Sequence, residues 1–287
     1  YFRSSDLIDM KKPIAVISMV RNDSFFANKW ISYYGAQFGF QNLYLFIDGM
    51  DQPLPEKASR INCFQIPHLY LKRANADRKR AKKISDFANS LYTSYHAVLA
   101  MDIDEFLVLD PKIKLSLEEY LQKDFKTDSC SALGLDVGQH PKFEDSIDLN
   151  KSFLSQRKYA KVSDRYTKPI VSFKAIQWGS GFHRIKGKNY IIDPNLFLFH
   201  FGLVDKETSI QKSNDNELLT SGWRGHIRRR ISLFKELETS SPFEGDMFFD
   251  KARTYLNKTR KWYSWNKPAP LKFPSIIKIP KRFQKIV

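Results

Sequence analysis

Ala97-Val98-Leu99-Ala100-Met101-Asp102-Ile103-Asp104-Glu105-Phe106-Leu107-Val108-Leu109 decides how the rest of the chain is read. The first five residues are an apolar run of strand length, and a second apolar run follows the three carboxylates. The strand carries Asp102 and Asp104 at its end, and its period of two points both carboxylates the same way. In open α/β sheets ligands bind outside the carboxyl ends of the strands. Two oxygen donors side by side at such an edge suit a hard divalent cation, Mg2+ or Mn2+, which in turn recruits a diphosphate. A bare Asp-x-Asp occurs often by chance, and a solvated turn between two strands is the plain alternative; the strand before it and the apolar run after it favour a site.

Working upstream, 13–20 is a β-branched apolar run that reads as a buried strand. Arg21-Asn22-Asp23-Ser24 offers caps for a helix with Phe26, Trp30, Tyr33 and Gln37 at helical spacing, closed by Gly39. A second strand over 43–47 ends in Asp48-Gly49, and 61–66 reads as a third. A helix is expected over 75–96, with Ile84, Phe87, Leu91 and Tyr95 as its apolar stripe. The order β-α-β-β-α-β argues an α/β fold with a mostly parallel central sheet flanked by helices. Downstream the pattern is less regular. Strands are expected over 131–136 and 170–177, and a pair over 190–192 and 196–201 joined by Asp193-Pro194-Asn195. A basic helix is expected over 218–237 with Arg228-Arg229-Arg230, and the prolines at 268, 270, 274 and 280 impose an extended tail.

The 287 residues are 42% hydrophobic and 14% aromatic, enough for a sizeable core rather than general disorder. Lys and Arg total 47 against 31 acids, a net charge of +16, which implies polyanionic company: nucleic acid, anionic lipid or phosphorylated substrates. Cys63 and Cys130 sit in apolar surroundings and read as reduced core residues. No stretch approaches the ~20 apolar residues of a spanning helix, and no secretory apolar region opens the chain.

Met19-Val20-Arg21-Asn22-Asp23, Trp30, the strand ending at Asp48, Asp102-Ile103-Asp104-Glu105-Phe106 and Leu198-Phe199-His200-Phe201 occur in that order. This series resembles the bacterial glycosyltransferase family 2-like proteins of the Asp-Ile-Asp-Glu-Phe group, over about 12–205. It is also similar to the related galactosyltransferases of animals that belong to a domain of unknown function. The chain departs from the pattern at Asp23, where that family usually shows Glu. The resemblance implies a GT-A nucleotide-sugar transferase fold with a catalytic domain over 1–205, followed by a basic helical and extended C-terminal appendage over 206–287. It implies transfer from a nucleotide-diphosphate sugar, UDP-linked, to a saccharide or lipid-linked glycan, with inversion, in cell-surface polysaccharide or lipopolysaccharide synthesis. It also implies a location in the cytoplasm, peripheral at the inner face of the bacterial cytoplasmic membrane.

Site residues follow from residue chemistry and resemblance together. Asp102 and Asp104 are expected to hold Mn2+ or Mg2+ and the donor, with Glu105 either reaching the site or orienting a nearby cation. Asp48, Arg21, Asn22 and Asp23 are expected to line the nucleoside pocket, although Asn22 or Asp23 could simply cap the helix. His200, on an apolar strand, is either a core histidine or a third metal ligand; the resemblance implies the ligand. In Trp178-Gly179-Ser180-Gly181-Phe182-His183-Arg184, Trp178 could stack on a sugar and Arg184 could hold a phosphate, against an exposed hairpin turn. An inverting enzyme needs a base near the acceptor oxygen, and Asp136 and His183 are the candidates. Arg78-Lys79-Arg80 and Lys82-Lys83 crowd positive charge at the unfavourable end of a helix, which suggests a facing anion as well as a solvated face. The tail over 251–287 has eleven Lys or Arg and no acid, with Trp262, Tyr263, Trp265, Phe273 and Phe283 among them, a composition suited to an anionic membrane surface. Two other classes compete. A nucleic-acid-binding protein would carry a zinc-finger, homeodomain or RNP signature, and none is visible. A metal-dependent nucleotidyl- or phosphotransferase also uses paired Asp residues, but no P-loop is present.

Overall fold

In a computed structural model, which describes residues 12–148, 150–187, 190–202, 205–214, 224–258 and 268–287, the apolar run Ile14–Val20 forms β1, buried along its whole length. β1 pairs in parallel with β2 (Leu43–Asp48) on one side and β4 (Ala97–Ala100) on the other, and β3 (Asn62–Ile66) extends the parallel set beyond β2. The helix Ser24–Phe38 (α1) joins β1 to β2 and the helix Arg73–Leu91 (α2) joins β3 to β4. β1 and β4 are neighbours, so the second crossover runs back across the sheet; right-handed crossovers then put the two helices on opposite faces. α1 starts where Asp23 accepts a hydrogen bond from the Phe26 N–H at 3.1 Å, and it turns Trp30, Ile31 and Tyr34 fully into the core.

The second half completes one mixed sheet. β5 (Glu105–Leu109) pairs antiparallel with β9 (Ile191–His200), and β9 runs parallel to β6 (Ser129–Val137). β6 also pairs antiparallel with β7 (Tyr159–Val162) and with β8 (Val171–Ser172), which closes onto β4. Among the described residues parallel and antiparallel strand pairings are equally many: β3-β2-β1-β4 is a continuous parallel set, β6–β9 and a short pair between Phe243–Glu244 and Ile276–Lys278 are also parallel, and the other pairings are antiparallel. The fold is mixed α/β, a central sheet flanked by helices.

Three local expectations change. β4 ends at Ala100, so Asp102 and Asp104 lie on a turn, closed by the Glu105 N–H donating to the Asp102 carbonyl at 3.1 Å. The pair expected on either side of Asp193-Pro194-Asn195 is a single strand. Pro194 falls where the β6–β9 register shifts, which is where a residue without an N–H is tolerated. There Asp193 Oδ1 accepts from the backbone N–H groups of Asn195 at 2.8 Å and Leu196 at 3.0 Å. The expected strand over 170–177 shortens to β8.

The end of the chain is extended, as the prolines require, and is built into the fold. β10 (Phe243–Glu244) pairs with β11 (Ile276–Lys278), and β11 pairs with β7. Phe283 is fully buried between Phe197 and Phe199, at ring distances of 5.2 and 5.5 Å. Arg282 bridges Asp110, at 2.7 Å, and Asp246, at 2.6 Å. A tail free to lie on a membrane is therefore not what 268–287 forms. Trp262, Tyr263 and Trp265 lie outside the described residues. No helix among the described residues is long and apolar enough to cross a membrane.

Candidate active site

Strands β1 to β4 end at one edge, and two clusters gather there. The first lies outside β1 and β2. Arg21 Nη1 donates to the Asp48 carbonyl at 2.7 Å, and the guanidinium forks onto both oxygens of Asp51 at 3.1 and 3.2 Å. Asn22 takes the left-handed conformation (φ 54°), and its N–H donates to Gln52 Oε1 at 2.8 Å. Asp48 Oδ2 is 2.9 Å from His68 Nδ1, and the exposed ring of Tyr70 stands edge-on to His68 at 4.8 Å. Arg21, Asn22 and Asp48 are thus brought together as expected, whereas Asp23 is engaged as the cap of α1.

The second cluster surrounds the turn 102–105. Period two does not govern a turn, and the two aspartates face different partners. Asp102 is held by Arg80 at 2.6 Å and by Lys168 at 2.8 Å. Lys168 is fully buried and also meets Glu105 Oε1 at 2.5 Å, while Glu105 Oε2 accepts the Asp102 N–H at 3.1 Å. Asp104 turns the other way, with Oδ2 3.3 Å from Nε2 of His200. His200 ends β9, where its register partners are Glu105 on β5 and Asp136 on β6. Its Nδ1 lies 2.8 Å from Asp136 Oδ1, Asp136 is also paired with Arg230, and Tyr166 stacks on the imidazole at 3.8 Å.

Two glycines make this packing possible. A Cβ on Gly134 of β6 would lie 2.1 Å from the backbone carbon of Tyr166. Without one, the 166–168 segment crosses β6 closely enough to deliver Tyr166 to His200 and Lys168 to the carboxylates. A Cβ on Gly202 would lie 2.7 Å from Asp104 Oδ2 and 2.8 Å from His200 Nε2. The space beside these two donor atoms is kept open by the missing side chain.

The electrostatics follow from burial and pairing. Burial alone would raise Asp102, but Lys168 and Arg80 outweigh it and hold the carboxyl below the usual range. Burial pushes Glu105 up to about 7 despite Lys168. Burial favours neutral His200, yet Asp104 and Asp136 together raise it to about 9. His183 goes the other way: burial, with Lys168 nearby, lowers it to about 3. Its Nδ1 is 2.9 Å from the Arg165 carbonyl, so Nδ1–H donates and Nε2 carries the lone pair.

Among the described residues no group of three His, Cys, Asp or Glu side chains gathers as a metal cluster. Asp104 and His200 are the two donors that could hold a divalent cation. Neighbouring ligands on an octahedral ion with bonds of ~2.1 Å stand about 3 Å apart, close to the Asp104–His200 separation. The Asp136 carboxylate on the far ring nitrogen is the support that metal-bound histidines ordinarily have. Mg2+-type ions are commonly held by one or two protein groups, with substrate phosphates completing the shell. Asp102, expected as a ligand, instead has both oxygens engaged by Arg80 and Lys168. Asp136, expected as a base, is committed to His200 and Arg230. Trp178 cannot stack on a sugar: it is 1% exposed and its Nε1–H donates to the Pro169 carbonyl at 2.7 Å. Arg184 lies against Gly179, not at the carboxylate turn.

Sequence reasoning missed Lys168, Arg230, His68 and Tyr70. His68 and Tyr70 follow β3 directly and could have been found by asking what leaves the edge beside Asp48. Arg230 stands in a basic run that gives no sign of burial, and Lys168 stands just before an apolar run with nothing to show that its side chain turns inward. No protein-family model and no curated protein matches the chain.

Proposed function

We propose that this protein is a glycosyltransferase of GT-A type, similar to the family 2-like enzymes, moving a sugar from a nucleoside-diphosphate donor to a saccharide or lipid-linked acceptor. The observation that carries the reading is the Asp104–His200 donor pair, backed by Asp136 and opened by Gly202, at the edge where Arg21, Asp48 and His68 also gather.

In this reading Asp104 and His200 hold Mn2+ or Mg2+, which when bound neutralises charge on the departing diphosphate. Arg21 and Asp48 engage the nucleoside, with Tyr70 available to lie on its base. Lys168 and Arg80 fix Asp102 and Glu105 against the turn, so that Asp104 is presented without rearrangement. Arg229 is lowered by burial and then by the neighbouring charges of Arg165 and Arg73, so three arginines share one region near Tyr166; an anionic leaving group relieves their mutual repulsion. His183 presents an unprotonated Nε2 near Asp102 and is the group we assign to take the proton of the acceptor hydroxyl in an inverting displacement. Its low pKa weakens it as a base, and an incoming diphosphate raises that pKa. A net charge of +16 supports action beside an anionic membrane, at the cytoplasmic face. The test is a panel of nucleotide sugars and free nucleotides, measured for thermal stabilisation with and without Mn2+. Metal-dependent stabilisation by a nucleoside diphosphate supports the reading; stabilisation by none of them refutes it.

A further inference from the structure

α2 is lined with cations whose side chains diverge. Arg80 points inward to Asp102, with its guanidinium 5.2 Å from the ring of Phe182. Arg78 and Lys82 lie two positions to either side, about 200° around the helix from Arg80, and so face away from Asp102. The hairpin closed by the Trp178–Ile185 bridge divides in the same manner. His183 turns toward Asp102 and Lys168, while Arg184 crosses to the Gly179 side. Between the outer faces of the helix and the hairpin is a cavity of about 400 Å3 lined by Arg78, Lys79, Lys82, Arg184 and Lys186, together with Ser180.

Five cationic residues line this cavity, from two elements. Lys82 is paired with Asp86 at 2.6 Å, and among the described residues Arg78 binds neutral groups, the Ala74 carbonyl and Asn75 Oδ1. Among the described residues Lys79, Arg184 and Lys186 have no carboxylate partner. Like charges brought into a concavity repel unless an anion offsets them, and a concave wall strengthens the field that attracts one. Arginine supplies a planar fork for phosphate and lysine a compact charge. The cavity backs onto the carboxylate turn across the hairpin and is a separate compartment from the donor pair Asp104 and His200.

We propose that this cavity is a second anion site that binds a phosphate group carried on the acceptor saccharide. The acceptor assignment rests on the transferase reading above; the phosphate site itself does not. A phosphate could also come from the donor, and the two sources separate experimentally. The probes are glucose 1-phosphate, glucose 6-phosphate and inorganic phosphate for the cavity, and UDP with Mn2+ for the donor site. They are titrated by calorimetry into the full chain and into the Lys79→Glu/Lys186→Glu variant, whose changes lie at the surface. The expected result is at least a tenfold loss of phosphate or hexose phosphate binding in the variant, unchanged UDP binding, and simultaneous occupancy by both probes in the wild type. Competition between UDP and the phosphate probes, or an equal loss of both, would assign the cavity to the donor and overturn the proposal. Absence of wild-type binding for all three phosphate probes, or equal binding by the variant, would also overturn it. Phosphate binding that the variant loses, in a protein that does not bind UDP, would uphold the site and refute the transferase reading.

Discussion

His200 and Asp104 approach with Nε2 3.3 Å from Oδ2, across the start of the β5–β9 pairing, while Asp136 engages the other ring nitrogen. The same gap suits a proton or a divalent cation, and the two exclude each other because a metal-bound imidazole is neutral. His200 is raised to about 9 by its two carboxylates against burial, so below that pH a cation must displace a proton. Apparent Mn2+ affinity is expected to rise about tenfold per pH unit from 6.5 to 8.5, and then to level off near 9. Calorimetry in buffers of different ionisation heat reads both the affinity and the proton released. In the metal-free protein the sign is opposite. A raised folded pKa makes this ion pair's stabilisation complete below the unfolded value of about 6.5, and it is lost as pH rises through 9.

Gly202→Ala places a methyl group 2.7 to 2.8 Å from both donor atoms. Mn2+ binding is expected to fall by tenfold or more. The accompanying loss of stability should be about 1–3 kcal/mol, as for other overpacked sites. Asp136→Asn keeps the shape and weakens the support of His200, with an expected 10- to 100-fold loss of metal affinity. Metal titrations of the two variants beside their urea melts separate a blocked site from a misfolded one.

Lys168→Met leaves Arg80 on Asp102 and removes the ion-pair partner of the buried Glu105. Breaking a buried pair in this manner costs about 3–5 kcal/mol, which urea unfolding measures directly. A loss below about 1 kcal/mol would mean that Lys168 does not hold the turn.

Apolar runs made β1, β2 and β4 legible because these strands are buried along nearly their whole length, and helical spacing made α1 legible; β3 was legible as an apolar run although its residues are only half-buried or exposed. The sequence singled out the carboxylates of 102–105, but their geometry was not legible in it. Period two was extended through Asp102 and Asp104, whereas the strand stops at Ala100. Which aspartate meets His200 and which meets Lys168 depends on where β9 and the 166–168 segment cross, and only the folded register sets that. Pro194 read as a hairpin because proline ends most strands, yet a shift in register accommodates it. The end of the chain read as an appendage because charge and proline dominate its composition, while Ile277, Phe283 and Val287 are what it buries.

Phe283→Ala removes a ring held between Phe197 and Phe199 and is expected to cost about 3–5 kcal/mol. Deleting 275–287 removes β11 as well and should abolish cooperative unfolding, as followed by circular dichroism.

Arg282 adds a dependence on acid. Burial raises Asp110, but hydrogen bonds and charge from Arg282 leave it lowered, and Asp246 is lowered first by its hydrogen bond to Arg282. Depressed carboxylates stabilise above their unfolded pKa, about 3.9, and lose that contribution as pH falls through the folded values. Arg282→Ala should therefore destabilise by about 2 kcal/mol at pH 7, and the difference from wild type should shrink below pH 4. Paired melts at pH 7 and pH 3.5 check this.

Nucleoside diphosphate release is the most direct measure of sugar transfer at Asp104 and His200. The protein is incubated with UDP-sugars and Mn2+, and free UDP is quantified for the wild type and for Asp104→Asn. Release is expected from at least one donor, stopping in EDTA and falling at least 100-fold in Asp104→Asn. Release from no donor, or a rate unaffected both by EDTA and by Asp104→Asn, would contradict transfer at this pair.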